Sequence, residues 1–131
     1  MPENNLFEYA VIRVVPHVER EEFLNVGVIL FCSSQKFLRC TFHFDEVRLK
    51  VLCKKTDFTE LRQHISSFEK ICGGSQDSGA IGKLPIAERF RWLTATRSTV
   101  LQTSKVHPGL CDKAEDKLGQ LFKQLVLIDQ E

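Results

Sequence analysis

Five cationic side chains, Lys83, Arg89, Arg91, Arg97 and Lys105, fall within residues 83–107 against one carboxylate, Glu88, giving a local net charge of +4. Around them stand Ser98, Thr99, Gln102, Thr103, Ser104 and His107, all able to donate hydrogen bonds. These residue types suit anion recognition. A guanidinium presents planar paired donors to a phosphate or carboxylate, and hydroxyls serve the remaining acceptor oxygens. The expected contacts are Arg97, Ser98, Thr99, Gln102 and His107, with Arg91 beside them. The competing reading is a solvated strand face whose arginines pair with the acidic first thirty residues, where five Glu outnumber two Arg; exposed pairs of that kind are strongly screened.

A second polar concentration, Pro16 to Asn25 (PHVEREEFLN), offers His17, Glu19, Glu21 and Glu22. Carboxylates with an imidazole suit a hard or borderline metal, and His17 could also act as a base near neutral pH. Joined to Arg97, they would make a metal-assisted phosphodiester hydrolase or another small phosphate-handling enzyme, which is the alternative function. That reading requires His17 and Glu19 to converge on Arg97. No D-x-D or E-x-K spacing supports it, so no metal ligand set is assigned and no cofactor is expected. Cys111 follows His107 by four residues and precedes Asp112, a proposed helix cap. A thiol beside a helix N-terminus is activated, although Asp112 opposes thiolate formation. Phe90 and Trp92, interleaved with Arg89 and Arg91, could stack bases, but a core-facing strand explains them more simply and nucleic acid is not the expected partner.

Positioning these groups requires a fold. The 131 residues, 43% hydrophobic and 27% charged with a net charge of +1 and 10 Phe, are enough for one buried core. They exclude a disordered or histone-like chain. The longest apolar run, Val26 to Cys32, falls far short of the roughly 18 residues that span a bilayer. The start, Met1 to Asn5, has neither the basic region nor the apolar stretch of a secretory signal. The five Cys are odd in number and lack C-x-x-C spacing, which argues for reduced thiols and a cytoplasmic home.

Strands are expected at Phe7 to Val15, Asn25 to Cys32 and Lys36 to Phe44, the last two joined as a hairpin that sets Cys32 near residue 37. Gly27 marks a bulge or close backbone approach, and Arg13 should find a partner among Glu8, Glu19 or Glu22. A short helix follows Asp45. A longer one runs from the Asp57/Glu60 capping spacing to Gly73 and Gly74. Residues 73–85 read as a flexible loop within a single domain spanning 1–131. Beyond it, the alternation at 89–92 and the run Thr96 to Ser104 predict strands, although Ser98 could instead cap a short helix. Asp112 and Glu115 then cap a last helix whose interior Gly119 costs about 1 kcal/mol. The expected class is α+β: one layer of largely antiparallel sheet, four to five strands, with about three helices mainly on one face.

Two stretches carry a resemblance, FEYAVIRVVPHVEREEFLNVGVILFC at 7–32 and RFRWLTATRSTVLQTSKVHPGLC at 89–111. With them the chain, from about Phe7 to Val126, resembles the bacterial domain-of-unknown-function 3037 family. The resemblance brings no catalytic residue. It implies an accessory role beside a HipA-type kinase-like protein. The leading expectation is therefore a non-catalytic module that binds a phosphate-bearing ligand or a protein partner.

Overall fold

In the computed structural model, which describes residues 5–97 and 99–127, the first alternating apolar run becomes β1 (Asn5–Val14). A 3-10 turn at residues 18–20 leads to β2 (Leu24–Cys32) and then β3 (Phe37–Phe42). Two helices follow, α1 (Glu46–Leu52) and α2 (Phe58–Gly73), and after a loop α3 (Ile86–Leu93). β4 (Leu101–Thr103), β5 (His107–Cys111) and α4 (Ala114–Leu125) complete the order. The protein is thus α+β, with an antiparallel sheet in the order β3-β2-β1-β4. β5 also pairs with β1, so β4 and β5 share one edge: β4 meets Ile12 to Val14 and β5 meets Asn5 to Tyr9.

The hairpin register sets Cys32 opposite Phe37, as the turn length requires. Between β1 and β2 the pairing passes from Ile12↔Gly27 to Arg13↔Asn25, which leaves Val26 as the extra residue of a bulge. The bulge changes which side β2 presents. Val28, Leu30 and Cys32 face α4, whereas Val26, Ile29 and Phe31 face the other helices. Gly27 is needed at this point because a Cβ there would lie 2.5 Å from the Thr41 carbonyl oxygen. Arg13 finds no carboxylate among the described residues. It instead lies 3.9 Å above the Phe23 ring, since Glu8 is already held elsewhere.

Each face of the sheet carries its own apolar cluster. Ala10, Ile12, Ile29 and Phe31 pack under Leu49 of α1, Leu61, Ile65 and Phe68 of α2, and Phe90 and Leu93 of α3. On the opposite face Phe7, Val28 and Leu30 pack against Ala114, Leu118 and Leu121 of α4. Among the described residues four helices form instead of about three, three on one face and one on the other.

Local signals explain most boundaries. The Asp45 and Asp57 carboxylates accept hydrogen bonds from the Arg48 and Glu60 amides, at 3.1 and 3.0 Å. α2 stops where Gly74 adopts φ 66° and the Ser75 amide donates back to the Lys70 carbonyl. Within 73–85, the Asp77 carboxylate accepts from Ser75 and pairs with Lys70, while Arg89 donates to the Leu84 carbonyl at 2.9 Å.

Two expected elements differ. Residues 89–92 form helix, not strand, because Ile86, Phe90 and Leu93 make a helical stripe in which Phe90 is fully buried. The run from Thr96 to Ser104 contributes only a three-residue strand. At α4 the cap position is Lys113, and Asp112 does not cap the helix. The Ala114 amide is instead satisfied by Gln35 Oε1 from the hairpin turn at 2.9 Å, a distant side chain doing the work of a local one.

Candidate anion-binding site

The chain leaves α3 at Leu93, turns, and enters the sheet at Leu101. This turn lies against the face of α2 that carries His64, Ser67 and Ile71. Between them lies a hollow of about 270 Å³, whose lining includes Arg97, Thr99, Gln102, Thr103, His64 and Trp92. Three of the residues expected from sequence, Arg97, Thr99 and Gln102, therefore meet in one solvent-reachable space.

Arg97 is half-buried and its guanidinium lies 4.0 Å above the Trp92 ring. One terminal nitrogen donates to the Trp92 carbonyl. Among the described residues no carboxylate lies within ion-pair distance of it. Burial pushes this guanidinium below its ordinary value, the direction expected for a cation that loses water without gaining a counter-ion. An anion entering the hollow would reverse that penalty. Thr99 Oγ1 donates to the Leu101 carbonyl at 2.7 Å, and Gln102 Nε2 donates to the Thr99 carbonyl at 2.8 Å. These two bonds shape the loop and leave the Gln102 amide oxygen and the lone pairs of Thr99 Oγ1 uncommitted. Thr103 Oγ1 reaches the Thr94 carbonyl at 3.4 Å.

The other expected contacts are elsewhere. Arg91 makes a bidentate pair with Glu8 of β1, both contacts at 2.7 Å, and Glu8 raises the arginine's pKa. His107 sits on β5 opposite Tyr9, their rings 5.3 Å apart, and does not line the hollow. Ser98 lies outside the described residues.

The enzyme constellations fare differently again. His17 lines a separate cavity with Cys53, Thr56, Asp57 and Glu60, while Arg97 lines the hollow beside α2 and α3. Among the described residues no group of three or more His, Cys, Asp and Glu could hold a metal ion. Cys111 is buried, and burial first, then neighbouring Cys32, pushes its thiol up, the reverse of an activated nucleophile. Phe90 is stacked against Phe31 inside the core and offers no platform for a base.

His64 and Ser67 are absent from the expectations drawn from sequence, and Trp92 enters them only as a base-stacking or core residue. The first two stand three residues apart on α2, a spacing that puts them on one helix face, but nothing local to α2 marks that face as adjoining residues 97–103. Trp92 reads as core in an alternating pattern, yet it is 39% exposed.

Fold and hollow together define an α+β protein with helices on both faces of an antiparallel sheet and, at the sheet corner, an arginine with no carboxylate partner among the described residues. Comparison with family models matches residues 9–126 to the family described as Protein of unknown function (DUF3037). The chain belongs to that family, as the segments at 7–32 and 89–111 led us to expect. No curated protein and no solved structure gives a significant match. Among the described residues no helix is long and apolar enough to cross a membrane.

Proposed function

We propose that this chain is a non-catalytic module that binds a small anionic group, of phosphate or carboxylate type, in the hollow between α2, α3 and β4. Arg97 is the principal contact, and Thr99, Gln102 and Thr103 supply the polar wall. The observation that carries the reading is the half-buried Arg97 without a carboxylate partner among the described residues, in a space that could hold a phosphate and a short body. The mostly apolar remainder of the lining, Phe68, Ile71, Leu93 and Leu101, favours a ligand whose anionic head is attached to something less polar. A phosphorylated or carboxylate-bearing group on a protein partner satisfies the same chemistry. That makes an accessory role beside a bacterial HipA-type kinase-like protein compatible with the site, in the reducing cytoplasm where five free thiols persist.

Calorimetric titration with inorganic phosphate and with phenyl phosphate tests the proposal. The parent should bind the aryl phosphate more tightly than phosphate, and Arg97→Ala should weaken both by about tenfold or more. Equal binding by parent and variant would remove the site. The hydrolase alternative is not favoured by any contact, because Arg97 and His17 line different cavities.

A further inference from the structure

His17 and Cys53 are 36 residues apart in sequence, yet the fold brings them together where α1 ends. Cys53 Sγ lies 3.8 Å from His17 Nε2, and the other ring nitrogen, Nδ1, lies 4.0 Å from Glu19 Oε1. Thiol, imidazole and carboxylate therefore stand in series. That order places a proton-accepting ring nitrogen next to the thiol. The pair is open to solvent on two sides, through hollows of about 200 and 480 Å³ that both include His17 and Cys53 in their walls.

The remaining thiols lack this setting. Cys32, Cys72 and Cys111 are buried, and a hydrogen bond with Cys72 together with burial pushes the Cys40 thiol far up. The wider hollow is also cationic. It is walled by Arg20, Lys54 and Lys55 against Glu22, and Glu22 is already held by Arg20 at 2.5 Å. In the narrower hollow, Asp57 is engaged in capping α2 and Glu60 lies 3.6 Å from His64. Two lysines next to the thiol thus face the opening without a carboxylate partner among the described residues.

We propose that Cys53, with His17 as its proton acceptor, is a thiol–disulfide exchange site that takes a mixed disulfide with an anionic low-molecular-weight thiol. The Cys53 proton passes to His17 Nε2. The thiolate attacks one sulfur of the oxidised low-molecular-weight disulfide, forming a new S–S bond as the old one breaks. The departing thiolate recovers the proton from the imidazolium and leaves as free thiol. Cys53 is oxidised and the departing sulfur is reduced, so the disulfide itself is the oxidant. Lys54 and Lys55 attract the carboxylates of the incoming molecule.

The test uses the full chain with two probes, oxidised glutathione, which is anionic, and hydroxyethyl disulfide, which is neutral. Adducts are followed by intact mass and located by peptide mapping. Cys53 should be modified first with both. His17→Gln should slow both reactions by about tenfold, a modest share of what positioned acid–base groups supply. Lys54→Gln with Lys55→Gln should slow only the anionic probe, by about threefold at low salt. These side chains are exposed, so the variants should keep the parent circular dichroism. Modification of Cys40 at a comparable rate, or an unchanged rate in His17→Gln, would overturn the site. An unchanged ratio between the two probes in the lysine variant would overturn the anionic preference.

Discussion

Arg91 and Arg97 belong to the same basic stretch and end in opposite circumstances. Arg91 closes a bidentate pair with Glu8, a residue 83 positions away, whereas Arg97 stacks on Trp92 with no carboxylate beside it among the described residues. Counting charge along the chain exposes the surplus of cations but not which cation is spent, because the spending partner comes from β1. Arg91→Ala should therefore lower stability by about 1 kcal/mol, since the pair is bidentate and its Glu8 side chain is only 24% exposed, and leave anion binding unchanged. Denaturant unfolding together with calorimetry checks both halves. Asp77 offers a pH-dependent case. The Ser75 hydroxyl, and then Lys70, hold its carboxyl below the usual carboxylate range. A depressed folded value gives stability that is present above the unfolded pKa and is lost as pH falls through the folded one. Asp77→Asn should accordingly lower Tm at neutral pH, and the difference from the parent should close in acid. A difference that stays constant with pH would show that the carboxylate charge plays no part.

Elements with local start and stop signals were legible, and elements built by distant contacts were not. Asp57 with Gly74 defines α2 from both ends, and the hairpin of β2 and β3 follows from its turn and alternation. α3 escaped because four residues of Arg-aromatic alternation fit a strand as well as a helix. Only the wider window, with Ile86, Phe90 and Leu93, separates the two periods. The last helix was expected where α4 lies, but its capping group escaped because Gln35 comes from another element. Two substitutions express this difference in energy. Asp57→Ala should cost about 1 kcal/mol through the lost cap. Gly119→Ala, exposed within α4 where a Cβ meets nothing within 4 Å, should add about 1 kcal/mol. Thermal and denaturant unfolding of the two variants should move in opposite directions.

Across the whole molecule, the proposed anion-binding hollow depends on how three elements meet at a corner of the sheet. The antiparallel α+β class and its apolar positions follow from alternation and helical stripes. The placement of α4 alone on one face and α1, α2 and α3 on the other does not, since both faces of β2 are equally apolar. For the same reason half of the candidate site was readable: Arg97, Thr99 and Gln102 lie close in sequence, whereas His64 and Ser67 enter from α2 only through packing. Phe90 secures that packing beneath Phe31, and Phe90→Ala should cost about 3–5 kcal/mol in denaturant unfolding. The central claim is that the corner hollow, and not the basic stretch as a whole, receives the anion. Amide chemical shifts of the ¹⁵N-labelled protein during titration with phenyl phosphate test it most directly. Saturable shifts are expected to concentrate at Arg97, Thr99, Gln102, Thr103 and His64 and to be absent in Arg97→Ala. Shifts centred on Arg91 and His107, or persisting unchanged in the variant, would contradict it.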